Sequence, residues 1–353
     1  MRLKVLTIAA ALVVGSMLSS MPGSMLAVSA DAQTPGPYKV LSKTKVGGEG
    51  GFDYVYADVE GRRLYVPRGG EMGAVYVFDL DTLKPVGTIE KMSGHGVAID
   101  EKTHHGFASS KPVGMWDTKT LTSMKTIEVQ GGPDGILADP FNGRIYVFSH
   151  GAPNATVINA KDGSIVGTID LGGAPEQAVS DGKGHIYVDI EDKGNIAVVD
   201  AKTMTVTAHY DLAGKGGTCA GLAIDVKNKL LFATCRDPQT MVILNAGDGK
   251  IVETLPIGKG TDGAVFNAKT MEIFSSQGDG TLTIVKEESP TKFSVEQTLE
   301  TQPRAKTLTL DTKTGHVLLI SAEFEPAPPS APGERPGRGA MVAGSFAILV
   351  VGK

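Results

Sequence analysis

Residues 137–169 read LADPFNGRIYVFSHGAPNATVINAKDGSIVGTI, and this stretch contains the repeating unit of the chain. A short apolar segment ends at Asp139 and is followed by a polar turn. Three further β-type segments follow, namely Arg144–Val147, Asn154–Asn159 and Ile165–Ile169, each separated from the next by turn-forming residues. Four short strands in about forty residues are typical of one blade of a β-propeller.

The same pattern recurs along the chain and can be counted from the Asp or Asn that ends the first segment. Successive positions are 42, 39, 42, 44, 42 and 44 residues apart and are occupied by Asp58, Asp100, Asp139, Asp181, Asp225, Asn267 and Asp311. Side chains of Asp and Asn bond the backbone two residues on, which starts a turn, so we interpret these residues as structural. Seven copies predict an all-β, seven-bladed propeller with four-stranded blades, formed by residues 37–353.

Closure of the predicted ring follows from the last repeat, which lacks a fourth strand. The segment Tyr38–Val46 has β character and precedes Gly47-Gly48, as other fourth strands precede paired glycines. We expect it to complete the last blade, which would protect the strand edges. Residues 325–340 are rich in proline and interrupt that blade between its second and third strands. They predict an extended, mobile loop, which is either a lid or docking segment for the site or a tolerated insertion.

The repeats resemble the YVTN-type propellers, and specifically the YncE-like exported proteins. The Tyr-Val pair is present at Tyr65-Val66, Tyr146-Val147 and Tyr187-Val188, whereas the Thr-Asn that often follows it in the family is absent. The resemblance implies a propeller exported from the cytoplasm. It implies little about activity, because the repeat forms the scaffold and propellers have many functions.

Residues 1–30 have the composition of a signal peptide, with Arg2 and Lys4 before the apolar run Leu6–Val14 and small residues at a cleavage position near 30–32. An N-terminal membrane anchor is the alternative. We expect a periplasmic or secreted protein without a transmembrane segment in the mature chain. Loss of the two basic residues changes the formal charge from −5 to −7. An acidic chain of this kind predicts no general binding to nucleic acid.

Candidate functional residues lie where the blades differ from one another. Five residues before each turn Asp or Asn, at the start of the innermost strand, six of the seven residues are ionisable: Asp53, His95, Asp134, Glu176, Ala220, Asp262 and Lys306. Ten residues after it, where the second strand ends at the same mouth, the positions include Arg68, Ser149, Glu191 and Cys235, with His150 taking the place of Ser149 if the longer turn of blade three adds one residue. Both sets are expected to surround one mouth of the channel, with a basic sector formed by Arg304, Lys306 and Arg68.

Convergent polar groups in a concave mouth predict a site for a small ligand or a protein partner. We favour a non-catalytic binding function; the alternative is a propeller enzyme, such as a lactonase, a lyase or a metal-dependent oxidoreductase. The ligand-binding candidates are Asp53, Arg68, His95, Asp134, His150, Glu176, Glu191, Asp262, Arg304 and Lys306. A divalent metal is a possible cofactor, with His95, His150 and Glu176 as candidate ligands. The simplest competing interpretation is a solvated channel with compensating charges. A closed ring of blades favours a monomer.

Cys219 and Cys235 are the two cysteines of the chain and lie on strands expected to pair around Asp225. Antiparallel pairing brings them together near the mouth. In an exported protein this favours a disulfide. A free buried pair and a thiolate metal site are the alternatives.

Overall fold

The blades are antiparallel sheets of four strands each, and seven such sheets are present in the computed structural model. The structure describes residues 36–71, 73–327 and 339–353. Within these ranges the regular elements are β-strands, apart from a single 3₁₀ turn at Glu191–Lys193. The predicted all-β, seven-bladed propeller is therefore confirmed.

The first three blades use strands in chain order from the innermost to the outermost. Strand β1 belongs to the last blade and is described below. The strands of blades one to three are β2 (Tyr56–Asp58), β3 (Arg63–Pro67), β4 (Ala74–Asp79), β5 (Pro85–Glu90), β6 (Gly94–Asp100), β7 (His105–Ser110), β8 (Val113–Asp117), β9 (Ser123–Ile127), β10 (Pro133–Asp139), β11 (Arg144–Ser149), β12 (Asn154–Asn159) and β13 (Ile165–Asp170).

Blades four to six repeat this order. Their strands are β14 (Pro175–Ser180), β15 (His185–Ile190), β16 (Asn195–Asp200), β17 (Thr205–Asp211), β18 (Cys219–Asp225), β19 (Leu230–Arg236), β20 (Gln239–Asn245), β21 (Ile251–Pro256), β22 (Thr261–Asn267), β23 (Glu272–Gln277), β24 (Thr281–Ser289) and β25 (Lys292–Glu300). Outer strands are more exposed than inner ones, as β13 and β9 show.

Blade seven contains β26 (Leu308–Asp311), β27 (His316–Ser321), β28 (Ala347–Gly352) and β1 (Lys39–Lys45). The amino-terminal strand β1 pairs antiparallel with β28, from Lys39 opposite Gly352 to Lys45 opposite Ala347. The fourth strand of the last blade thus comes from the other end of the chain, as the sequence predicts. The innermost strand β26 contacts β2 of the first blade, which closes the ring.

Turn acids act as the sequence predicts. At each of the seven positions the side-chain oxygen accepts a hydrogen bond from a backbone N–H two or three residues on. The acceptors are Asp58, Asp100, Asp139, Asp181, Asp225, Asn267 and Asp311. These groups serve the local turn and lie on the face opposite the candidate site; Asp311 in addition accepts from Arg62.

The hydrophobic core lies between the blades, because each sheet is covered by its two neighbours. One cluster joins Tyr146 and Val157 of blade three with Val188 and Val199 of blade four, and comparable clusters fill the other blade interfaces. Strands buried on both faces show runs of apolar residues, as in β11. This packing gives the inner strand ends fixed positions around the axis.

Two sequence predictions fall wholly or partly on residues outside the described ranges. The proposed signal peptide, residues 1–30 with cleavage near 30–32, lies entirely outside them. Of the proline-rich segment 325–340, only the flanks are described; Phe324 and Met341 there form a β-bridge between β27 and β28. Among residues 36–71, 73–327 and 339–353, no helix has the length and apolar character that a membrane crossing requires.

Candidate functional site

The inner strands place their first residues around one mouth of the channel. His95, Asp134, Glu176 and Asp262 lie near the starts of β6, β10, β14 and β22. At each of them the ladder to the second strand shifts register. A β-bulge turns a side chain out of the regular ladder, so these residues are free to face the channel. Asp53 and Lys306 precede the short strands β2 and β26 at the same level.

The blades approach each other closely at this level, and glycine follows most of the bulged residues. At Gly135 an added Cβ would lie 3.0 Å from the backbone oxygen of Glu176 in the next blade. At Gly263 it would lie 2.8 Å from Leu308. A side chain at Gly135 would press on the backbone of the next inner strand, and one at Gly263 would displace the Leu308 side chain, so glycine suits the position after the polar ring.

The first group of the mouth joins Asp53, His95 and Asp134. Nδ1 of His95 lies 2.9 Å from Oδ2 of Asp53 and 3.6 Å from Oδ1 of Asp134. The hydrogen bond to Asp53 raises the pKa of His95. Burial and the nearby charge of Asp53 raise the pKa of Asp134, whose Oδ1 is buried and accepts no hydrogen bond from a described residue.

The second group joins His150, Glu176 and Glu191. Nε2 of His150 lies 3.0 Å from Oε2 of Glu191 and 3.7 Å from Oε1 of Glu176. The hydroxyl of Tyr54 donates to Oε2 of Glu176 over 3.4 Å. Burial, together with the carboxylates of Asp262, Asp134 and Glu191, raises the pKa of Glu176 to about 9. This favours the protonated form of its carboxyl group.

Two cations connect these groups through Asp262. The ammonium of Lys306 contacts Asp262 and lies 3.2 Å from Oδ1 of Asp53. The guanidinium of Arg236 contacts Asp262 and lies 2.6 Å from Oε1 of Glu191. Burial alone would lower the pKa of Lys306, but the charges of Asp262 and Asp53 outweigh it and raise the pKa. A continuous polar network therefore runs from Asp134 around the mouth to Glu176.

Arg68 requires a correction, because the structure does not place its side chain in the open mouth. Arg68 is 1% exposed. Its guanidinium donates to the backbone oxygens of the glycine-rich segment 47–51 and lies 3.8 Å from the ring centroid of Phe346. The buried guanidinium is held by several carbonyls of this segment, so Arg68 organises the connection into blade one instead of contacting a ligand.

Arg304 lies on a cavity at the same mouth. The cavity has a volume of about 430 Å³ and is lined by Gly50, Gly51, Phe52, Gly278, Arg304, Lys306, Phe324 and Met341. The guanidinium of Arg304 lies 3.8 Å from the ring centroid of Phe324. Its Nη1 atom is buried and donates to no described residue. The backbone of Arg304 has φ +66°, a left-handed conformation that costs a non-glycine residue free energy.

The predicted metal ligands His95, His150 and Glu176 do not form one group. His95 belongs with Asp53 and Asp134, whereas His150 and Glu176 belong with Glu191. In each group one nitrogen or oxygen from every residue lies within 4.8 Å of the others. The separation arises because His95 stands at an inner strand start in blade two, while His150 follows a second strand in blade three.

Sequence reasoning missed Arg236 and Tyr54. Arg236 is the residue after Cys235, at which the ten-residue count ended. Strand β19 pairs with β18 as far as Cys235, which lies opposite Cys219, and β19 itself ends one residue later at Arg236. The strand is therefore one residue longer than the count assumed. A one-residue extension of the count, as was needed for His150, would have identified it. Tyr54 follows Asp53 directly, and no sequence signal separates it from an ordinary inner-strand tyrosine.

Cys219 and Cys235 form a disulfide, in the pairing that their positions predict. They lie opposite each other on β18 and β19 and are buried. The disulfide lies where the inner strand of blade five begins, directly after Thr218, at the level of the mouth. Cys235 precedes Arg236, and Cys219 precedes Ala220, the uncharged member of the ring.

The fold and this mouth define the class of protein: a seven-bladed β-propeller with a polar ring at one end of its channel. Within that class the chain is similar to the protein YncE of Salmonella typhi and of Salmonella typhimurium strain LT2, with 23% identity over 199 residues, 52% of this chain and 54% of each relative. The chain therefore matches about half the length of these curated relatives. The YncE-like resemblance of the repeats is confirmed. No protein-family model matches the chain.

Solved structures with the same architecture are more distant in sequence. The WD40 repeats of RRP9 superpose with a TM-score of 0.69 at 11% identity, covering 91% of this chain and all of that one. The structure of U3-55K also gives a TM-score of 0.69, at 10% identity, covering 88% of this chain and 98% of that one. These similarities establish the fold alone.

Proposed function

We propose that the protein is a non-catalytic binding propeller whose ligand is a small molecule with a negatively charged group and an apolar body. The observation that carries the proposal is the cavity beside Arg304. Phe52, Phe324 and Met341 supply its apolar wall, and Arg304 and Lys306 supply positive charge. A cavity of about 430 Å³ has the size of a small-molecule site.

The two cations of the cavity differ in whether they already have a carboxylate partner. Lys306 is already paired with Asp53 and Asp262. Arg304 has no carboxylate partner among the described residues, and its buried Nη1 donates to none of them. A guanidinium that lines the cavity without a counter-ion can pair with a carboxylate or phosphate through charge-assisted hydrogen bonds from its other nitrogens. Arg304 is therefore the group expected to recognise the anion, while Phe324 contacts the apolar body.

A thermal-shift screen with matched pairs of aromatic carboxylates and their uncharged amides tests this proposal. We expect carboxylates to raise the melting temperature more than the amides do. The variants Arg304→Gln and Phe324→Ala should each abolish most of that shift. Arg63→Gln is the matched control, because Arg63 begins β3 at the opposite face. Retention of every ligand shift in both cavity variants would exclude the cavity as the site.

A second candidate is an enzyme of the lactonase, lyase or metal-dependent oxidoreductase kind. The two groups of histidine with paired carboxylates favour it, since such groups act as metal ligands or as acid and base. Turnover of a panel of lactones, with and without added divalent metal, separates the two functions. Activity that disappears in both His95→Ala and His150→Ala would replace the binding function with the enzymatic one.

We also propose that the protein acts as a monomer in the periplasm or outside the cell. The disulfide supports this compartment, because such bridges persist where conditions are oxidising. Fractionation of the expressing cells, followed by amino-terminal sequencing, tests it. A mature start near residues 30–32 is expected, and a cytoplasmic protein with an intact leader would contradict it. Size-exclusion chromatography with light scattering tests the monomer.

A further inference from the structure

We propose that the ligand carries an uncharged hydroxyl group at the end of its apolar body opposite the anionic group, and that a second cavity, beside His95, binds this hydroxyl. The assignment rests on the proposed function, since it describes the other end of the ligand that Arg304 recognises. The ligand class is then a hydroxylated amphipathic acid, such as a hydroxyaryl carboxylate.

The second cavity lies at the same mouth, between blades one and two, and has a volume of about 480 Å³. Gly51, Phe52 and Lys306 line this cavity and also the cavity beside Arg304, so the two cavities are neighbours. A molecule that extends from one cavity into the other would pass Phe52 and Lys306. Both volumes lie in the range of small-molecule sites.

The two cavities differ in the polarity of their walls. Phe52, Phe324 and Met341 give the cavity beside Arg304 its apolar surface. Among the described residues that line the second cavity, Phe52 is the only large apolar one, and the others are glycines and polar or charged residues. The apolar body of a ligand therefore fits the first cavity, and a polar group fits the second.

Charges beside the second cavity disfavour another ionic group on the ligand. Burial would raise the pKa of Asp53, but the hydrogen bond from His95 and the charge of Lys306 outweigh it and lower the pKa. The resulting carboxylate would repel an anion, and the ammonium of Lys306, 3.2 Å from Oδ1 of Asp53, would repel an amine. Because these charges already pair with each other, the polar group that fits beside them is uncharged.

His95 supplies the hydrogen-bonding group that selects a hydroxyl. Its Nδ1 lies 2.9 Å from Oδ2 of Asp53, whereas Nε2 makes no hydrogen bond to a described residue. The side chain is 53% exposed, which leaves Nε2 accessible to a ligand. With Nδ1–H donated to Asp53, Nε2 accepts in the neutral imidazole and donates in the imidazolium. A hydroxyl can serve both forms, whereas a carbonyl can only accept.

Gly69 provides a steric probe of the second cavity that does not involve His95. It lines this cavity and is absent from the wall of the cavity beside Arg304. A Cβ added at Gly69 would have no described neighbour within 4 Å. A valine at this position should therefore occupy space in the cavity without displacing either blade.

Isothermal titration calorimetry with aromatic carboxylates of increasing length, each with and without a terminal hydroxyl, tests the assignment. At the length that reaches the second cavity, the hydroxyl should tighten binding about fivefold, as one added hydrogen bond would. His95→Ala and Gly69→Val should each reduce this gain to less than about twofold, with unchanged circular dichroism spectra. His185→Ala is the matched control, because His185 pairs with Asp181 at 2.9 Å on the opposite face, and it should keep the gain.

A hydroxyl that adds no affinity at any length would overturn the assignment, as would a full gain in either His95→Ala or Gly69→Val. If the plain acids still bind and Arg304→Gln abolishes that binding, the proposed function stands and only the hydroxyl assignment fails. If no acid binds in a manner that depends on Arg304, both fail together.

Discussion

Nζ of Lys353 lies 2.8 Å from Oε1 of Glu272, whose side chain has no exposed surface. Lys353 follows β28 of blade seven, and Glu272 begins β23 of blade six. The hydroxyl of Tyr38, just before β1, donates to the other oxygen of Glu272. The buried carboxylate of Glu272 in blade six is thus bound by residues adjacent to β1 and β28, the two outer strands of blade seven. These contacts stabilise the packing of the closing blade against its neighbour.

Replacement of Lys353 with Met should lower the free energy of unfolding by about 1 to 3 kcal/mol, because the buried Glu272 loses its cation. Urea unfolding at pH 7 measures the change. The matched control is Lys292→Met, which removes an exposed pair with Glu288 and should cost clearly less than Lys353→Met. Equal effects of the two substitutions would contradict a special role for the buried pair.

Asp311 gives stability a defined pH dependence. Its burial would raise the pKa, but two hydrogen bonds from Arg62 and those from its own turn lower the pKa to about 2. The folded-state pKa is below the unfolded value, so this stabilisation is present above about pH 4 and is lost as the pH falls toward 2. Asp311→Asn should cost about 2 kcal/mol at pH 7 and much less near pH 2.

Unfolding in urea at several pH values measures this difference. Asp81→Asn is the control, since Asp81 binds the same Arg62 but is 51% exposed, and it should cost clearly less than Asp311→Asn at pH 7. A penalty for Asp311→Asn that does not change with pH would show that the turn, and not the charge, determines the effect.

The disulfide should contribute stability that depends on redox conditions. Cys219 and Cys235 are 16 residues apart, and closing a loop of that length in the unfolded chain corresponds to about 3 kcal/mol. The double substitution of both cysteines with Ala should lower the free energy of unfolding by this order. A reductant should lower the stability of the natural chain and leave the double variant unchanged. Two alkylatable thiols in protein from oxidising conditions would contradict the bridge.

Arg68→Lys should destabilise the protein by at least about 2 kcal/mol, although charge is conserved. A lysine ammonium cannot replace a planar guanidinium that donates to several carbonyls while stacked on Phe346. Urea unfolding tests this, with Arg63→Lys as control. Unchanged stability together with lost ligand binding would return Arg68 to the ligand site and refute the structural role described above.

Much of the fold follows from local patterns. Asp139, Asp181 and their equivalents each initiate a turn through their own side chains, so their spacing is visible without any tertiary information. Counting also predicts that the segment around Val40 belongs to the last blade, because that repeat lacks one strand and the amino-terminal segment supplies one. The same counting predicts most of the mouth residues, such as His95 and Glu176, since equivalent positions in a repeat lie at equivalent heights around the axis; it does not predict Arg236 or Tyr54.

Counting positions along the repeats does not predict which side chains contact each other within the mouth. Arg68 and Arg304 are both arginines of the predicted basic sector, yet one is buried against backbone oxygens and the other faces a cavity. The difference depends on the groups that surround each guanidinium, namely Phe346 of blade seven and the glycine segment for Arg68, and Phe324 of its own blade for Arg304. The repeat pattern does not record these contacts.

The sequence by itself determined the number of blades, their turns, the closing strand and the height at which polar residues gather, because each of these depends on interactions within one repeat. Only the tertiary structure shows that Lys353 pairs with Glu272 and that Arg236 binds both Glu191 and Asp262. It likewise shows that His95 and His150 belong to two separate groups. Those relationships join residues from different blades, and their distances are determined by how tightly the sheets pack around the axis.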